Sequence, residues 1–232
     1  MNADLPARVP APELDVLVQT PGADLEGLLT LPAAAQGIVL FAHGSGSSRF
    51  SPRNRFVAEI LVHAKLGTLL MDLLTNEEDV IDARTRQFRF DIELLAQRLI
   101  GAVDWLSRQE QTRELPMGLF GASTGSAAAL RAAAARSELV RAVVSRGGRP
   151  DLAGIEALTR VAAPTLLIVG SDDKEVISLN AAAAEQMRCP RELVLVPGAS
   201  HLFEEAGTLL QASNLARDWF LQHFSRQRTE QR

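Results

Sequence analysis

Three stretches of this chain combine residue types that could do nucleophilic and acid–base chemistry. The first is "MGLFGASTGSAAAL" (117–130), where Ser123 stands between Gly121 and Gly125 at the corner between an apolar run and a run of alanines. The G-x-S-x-G pattern at a strand-to-helix corner is a nucleophile elbow. Its turn is so tight that Cβ atoms two residues to either side of the serine have no room, which is why both positions are glycine. The helix predicted to begin at Thr124 has no carboxylate in its first turn, so its free N–H groups and dipole can face a developing oxyanion. A Gly-Ser-Gly turn can also be a plain joint, so the rest of the chain has to decide.

An elbow serine needs a base and the base needs an orienting acid, in the chain order serine, acid, histidine. Of the histidines at 43, 63, 201 and 223, His63 and His223 fall inside helical patterns and read as packing or surface residues. His201, in "VPGASHLF", falls in a loop just after the last predicted strand and is the candidate base. For the acid, "TLLIVGSDDKEV" presents Asp172 and Asp173 at the end of the seventh strand. One of them can cap the helix that follows. Asp173 is assigned to the histidine and Asp172 to the cap. The stretch after the sixth strand, "SRGGRP", has no carboxylate before Asp151, which strengthens the seventh-strand assignment.

A second oxyanion donor is expected from the loop "FAHGSGSSRFSPRN" after the third strand. The N–H of Ser45 is the first candidate there, with Gly46 next, alongside the N–H of Thr124. His43 is read as part of the loop architecture.

These groups must be positioned by a regular frame. Apolar, β-rich segments predict strands at 13–18, 25–31, 37–42, 67–74, 116–121, 140–145, 164–170 and 192–196, and helical patterns cover 52–65, 90–108, 124–136, 175–187 and 206–224. Continuously apolar strands separated by helices indicate a parallel sheet covered on both faces, an α/β architecture. The Pro-Gly turn in "QTPGAD" predicts that the first two strands form an antiparallel hairpin at one edge. Residues 1–10 and 225–232 read as frayed ends of a single domain spanning 1–232.

Composition sets outer limits. A formal charge of −4 provides no basic field for nucleic acid. No signal peptide or membrane span is visible, and the single cysteine, Cys189, fits a reducing, cytoplasmic setting. No phosphate-cradle or dinucleotide motif and no ligand-spaced His/Cys/carboxylate cluster occurs, so neither an organic cofactor nor a metal is expected.

The stretches "GIVLFAHGSGSS", "GLFGASTG", "TLLIVGSDD" and "PGASHLFEE", in this order over nearly the whole chain, resemble the dienelactone hydrolase-like branch of the α/β-hydrolases. The resemblance implies an eight-stranded sheet whose second strand is antiparallel, and a triad of Ser123, Asp173 and His201. Dienelactone hydrolases proper have cysteine at the elbow; this chain has serine, so lactone specificity does not carry over. "HGSGSSRFSPRNR" and "VVSRGGRPDL" resemble a subgroup of uncertain substrate, some members of which are attached to phosphoribosyltransferase domains.

Two features bear on the substrate. Only residues 147–163 separate the sixth and seventh strands, so no large cap domain is expected and the site should be open. Arginines 49, 53, 55, 146 and 149 crowd the expected mouth. Arg53 and Arg55 follow Ser51-Pro52, at a helix start where the dipole disfavours cations. Either they pair internally with Asp72, Asp82 or Asp91, or Arg146 and Arg53 bind an anionic group of a small-molecule substrate. The resulting reading is a serine hydrolase (an esterase) cleaving a small ester, thioester or lactone through an acyl-enzyme. The alternatives are a noncatalytic binding or regulatory protein on the same fold and a cofactor-independent perhydrolase.

Overall fold

The computed structural model describes residues 11–230, with side chains through Ser225. The frayed ends expected at 1–10 and at 231–232 lie outside the described residues.

The chain opens with β1 (Glu13–Thr20) and β2 (Ala23–Thr30), an antiparallel hairpin closed by Pro21 and Gly22, the latter at φ +84°. Then come β3 (Ile38–Ala42), α1 (Pro52–His63), β4 (Gly67–Met71), α2 (Asn76–Thr85) and α3 (Ile92–Leu106). They are followed by β5 (Met117–Ala122), α4 (Thr124–Ala135), β6 (Val140–Arg146), a 3₁₀ turn (Pro150–Ala153) and α5 (Ile155–Arg160). The last elements are β7 (Thr165–Gly170), α6 (Lys174–Gln186), β8 (Arg191–Val196) and α7 (Thr208–Glu230).

The eight strands form one sheet in the order β1-β2-β4-β3-β5-β6-β7-β8. β2 is antiparallel to both of its neighbours, and every pair from β4 through β8 is parallel. Alternation along the strands sends side chains into two cores. Leu40 and Leu119 join α3 and the alanines of α4 on one face, while Val39, Phe41 and Phe120 pack with Val57 and Leu61 of α1 and Phe220 of α7 on the other. The alanine run lets α4 lie close to its neighbours: Ala127, Ala128, Ala129, Ala132 and Ala133 are fully buried.

Parallel register brings the carboxyl ends of the central strands to one edge, with Ala42 opposite Gly121 and Ala122 opposite Arg146. The loops after β3, β5, β6, β7 and β8 therefore converge, the usual place for a site in an open α/β sheet.

Several boundaries differ from the sequence expectation. β4 ends at Met71 instead of 74, because the N–H of Leu73 is donated to the His43 side chain. α7 continues past 224 to Glu230, into the expected tail. α2 and α5 were not expected. α2 carries polar residues around most of its circumference and buries only Asp82, so no apolar period marks it. Helix α5 and the 3₁₀ turn fill the short link between β6 and β7, and no cap domain is present there. Among the described residues, no helix is long and apolar enough to cross a membrane.

Candidate active site

Ser123 occupies the corner between β5 and α4 with φ 50° and ψ −123°, a conformation that costs a non-glycine residue energy. The surroundings enforce it. A Cβ on Gly121 would lie 2.4 Å from Ser126 Cα, and one on Gly125 would lie 2.3 Å from the Ala42 carbonyl oxygen. Backbone bonds pin the corner: Ser123 N–H donates to the Arg146 carbonyl, and the Ser123 carbonyl accepts from the N–H groups of Ser126 and Arg149. The elbow is thus tied to its own helix and to the end of β6.

Ser123 and His201 line one pocket of about 220 Å³. Across the same edge, His201 Nδ1 and Asp173 Oδ2 are 2.6 Å apart. A hydrogen bond there requires the proton on Nδ1 and leaves Nε2 as the acceptor of a neutral ring. The His201 loop is held from behind by Glu205, whose carboxylate accepts from Ser200 N–H, and by buried Phe203 at φ 57°. The hydrogen bond to Ser200 keeps the Glu205 carboxyl below its ordinary pKa. No hydrogen bond joins Ser123 to His201 among the described residues.

The two aspartates divide differently from expectation. Asp173 contacts His201, although it stands at the N-cap position of α6 and makes no capping bond there. Asp172 does not cap α6 either: its carboxylate accepts from Ser171 Oγ. The helix is left without a side-chain cap because the residue at that position has turned its carboxylate to the histidine.

The β3 loop presses against the elbow, since a Cβ on Gly44 would lie 3.1 Å from Ser123 Cβ. His43 fixes that loop from below. Its Nε2 accepts from Leu73 N–H at 3.1 Å, so the proton sits on Nδ1, which donates to the Gly44 carbonyl at 2.9 Å. Burial outweighs the Gly44 carbonyl and the Asp72 and Asp79 carboxylates and lowers the imidazole pKa below its ordinary value. Both ring nitrogens are engaged in the scaffold, matching the architectural role expected for His43. Ser45 also lines the pocket, but its N–H is donated to Thr124 Oγ1 at 2.9 Å. Sequence could not show this bond, because it joins the β3 loop to the first residue of α4, 79 positions away. The N–H of Thr124, at the start of α4, has no intrahelical acceptor.

The arginines sort into paired and unpaired. Arg49 pairs with Asp72 and Glu26, Arg55 with Glu13 at 3.2 Å, and Arg149 with Asp151 at 2.8 Å. Asp82 is taken by Arg89 at 2.5 Å, and Asp91 caps α3 through Leu94 N–H. Internal pairing of Arg53 or Arg146 with Asp72, Asp82 or Asp91 is therefore absent. Arg53 meets exposed Glu204 at 3.4 Å. Arg146 is 6% exposed and has no acidic partner among its described contacts: it reaches Asn54 Oδ1 at 3.5 Å and lies over the Phe203 ring at 5.5 Å. Both Arg53 and Arg146 line the Ser123 pocket. Asn54, buried beneath them, was not singled out by sequence, since an asparagine near a helix start carries no distinguishing signal.

Comparison with known proteins places this arrangement. No protein-family model matches the chain. Its structure superposes on a dienelactone hydrolase from Anabaena variabilis with TM-score 0.90 and 58% identity, covering 92% of this chain and 98% of that one. The fold also matches Est1E from Butyrivibrio proteoclasticus with TM-score 0.76 at 14% identity, covering 91% and 99% of the two chains. A Mycobacterium tuberculosis protein named "Putative phosphoribosyl transferase" is 54% identical over 220 residues, 95% of this chain and 48% of the relative. The chain thus spans about half the length of the curated relatives it matches. The near-complete, 58% identical match to the Anabaena protein establishes that this chain, with its eight-stranded sheet, belongs to the dienelactone hydrolase family of the α/β-hydrolase fold.

Proposed function

We propose that the protein is a serine hydrolase that cleaves a small ester, thioester or lactone through an acyl-enzyme at Ser123. The observation that carries this reading is the 2.6 Å contact between Asp173 and His201 at the pocket that holds Ser123 on its strained elbow. His201 Nε2 takes the Ser123 proton as Oγ attacks the carbonyl carbon, and Asp173 stabilises the imidazolium that results. The same histidine protonates the leaving group, then activates the water that releases the acid. The Ser123–His201 hydrogen bond forms as substrate engages, as such bonds commonly tighten in the reacting complex. Thr124 N–H is the main oxyanion donor, and Ser45 N–H joins it by sharing its bond to Thr124 Oγ1. Arg146 and Arg53 hold an anionic group of the substrate.

The name of the curated relatives belongs to proteins about twice as long; for the half that they share with this chain, the pocket supports hydrolysis. A serine-reactive phosphonate tests the reading directly. Mass spectrometry should find the adduct on Ser123, and the adduct should be lost in the Ser123→Ala variant; labelling elsewhere, or none, rejects it.

A further inference from the structure

The pocket in front of Ser123 holds positive charge that nothing lining it balances. Besides Ser123 and His201, its wall includes Ser47, Ser51, Arg53, Asn54 and Arg146, and among the described residues no carboxylate. Arg146 is buried, and among the described residues its Nε has no hydrogen-bond partner and its one polar side-chain contact is the long one to Asn54. Burial and the charge of Arg53 pull its pKa down to about 10, so it remains a cation at neutral pH. A buried cation without a counter-charge is destabilising for the fold. Arg53 adds a second positive charge, balanced only by Glu204 at 3.4 Å in an exposed pair of little strength.

Helix α1 points donors to the same place. Its first turn has no acidic residue. Ser51 Oγ accepts from Asn54 N–H, which leaves the Ser51 hydroxyl proton free to donate. Pro52 contributes no N–H, and the N–H of Arg53 has no intrahelical acceptor. Anions are favoured at such a terminus. The buried guanidinium of Arg146, which lines the same cavity with its Nε unsatisfied and no acidic partner among the described residues, is the second, independent sign of a ligand.

We propose that this wall is a phosphate subsite: the substrate carries a phosphate monoester seated between Arg146, Arg53 and the first turn of α1. The proposal deepens the serine-hydrolase reading and rests on it for the role of the subsite. Arg146 has no counter-charge and Arg53 has only its weak pair with Glu204, so the wall favours a dianion over a carboxylate, which carries a single charge. A phosphate monoester carries −1.5 to −2 charge at pH 7 and three strong acceptor oxygens. Those oxygens can take donors arriving from the end of β6 and from α1 at once, and guanidinium is well suited to them. The phosphate takes no part in the bond changes at Ser123; it binds the substrate and directs its carbonyl.

Methyl phosphate is the probe, titrated calorimetrically into the full chain, with acetate as the comparison. Methyl phosphate should bind at one site and acetate at least about tenfold more weakly. Arg146→Met and Arg53→Gln should each weaken methyl phosphate by at least about tenfold. Without added anion, Arg146→Met should raise the melting temperature, because it removes an unpaired buried charge, and this shows that its loss of binding is not loss of fold. If Arg146→Met does not fold, Arg53→Gln, at a half-exposed side chain, decides alone. Equal binding of acetate and methyl phosphate, or indifference of methyl phosphate to the substitutions, overturns the subsite. The binding readout is independent of chemistry. If the phosphonate fails to label Ser123 while methyl phosphate binds as expected, the hydrolase reading fails and the subsite stands.

Discussion

Asp173 occupies the N-cap position of α6 yet gives its carboxylate to His201, 2.6 Å away on another loop. The N-cap position and His201 compete for one carboxylate, and the histidine holds it; on the proposed mechanism that carboxylate orients the base. Asp173→Asn should therefore lower turnover by roughly 10³–10⁴-fold, through loss of the charge opposite the imidazolium and through the wrong tautomer, while leaving the stability of α6 nearly unchanged. Asp172→Asn, which loses only a contact with the Ser171 hydroxyl, should be close to neutral in both. Steady-state kinetics on an ester substrate and thermal melts of the two variants decide it.

On the proposed mechanism, Ser123 separates catalysis from stability. Ser123→Ala should reduce turnover by about 10⁴-fold or more, because a nucleophile and its base act as a unit. Ser123→Gly should be equally inactive but more stable than wild type by about 1 kcal/mol, since glycine adopts a positive φ without strain. In a chain of this size that is a rise in melting temperature of about 2–4 °C. A glycine variant no more stable than the alanine variant would show that the elbow stores no strain.

His43 gives a pH dependence of folding. It is buried neutral, with its pKa lowered mainly by burial, whereas in the unfolded chain it titrates near 6.5. Below that value the unfolded state binds more protons than the folded one, so stability rises with pH through this range. The contribution is complete above about pH 6.5 and is lost as pH falls toward the folded pKa, where protonation of Nε2 also breaks the bond from Leu73. Urea unfolding between pH 7 and 5 should show a shallower decline in His43→Gln than in wild type. Parallel declines would exclude His43 as the titrating group.

Most of what could be read from sequence followed from local rules. The elbow glycines, the Pro-Gly hairpin and the alternation of apolar strands with helices each leave a short-range signature, and each has its counterpart in the fold. Asp173 and His201 were legible as loop residues at strand ends, and the structure brings them together. Helix α2 escaped because it lacks an apolar face, although Thr75 and Glu78 form a capping box that "TNEE" could have announced. The partners of the arginines, and the diversion of Ser45 N–H to Thr124, depend on side chains meeting across long separations. No periodicity encodes such meetings.

Helix α2 has a different standing in the molecule from the helices that cover the sheet. It buries one residue, Asp82, whose carboxylate gathers Arg89 and the N–H groups of Phe88 and Arg89, while Val80 and Ile81 face outward. A segment held by a cap, a polar knot and an ion pair from Glu78 to Arg98 of α3, with no apolar side chain driven into the core, should open without waiting for the sheet to come apart. Native-state hydrogen exchange should show this as a hierarchy. Amides of α2 should exchange through a local opening nearly insensitive to low urea, whereas those of α4, sealed by its buried alanines, should exchange only with global unfolding. The protein would then breathe on the α2 side of the β3 loop while the floor beneath Ser123 stays closed.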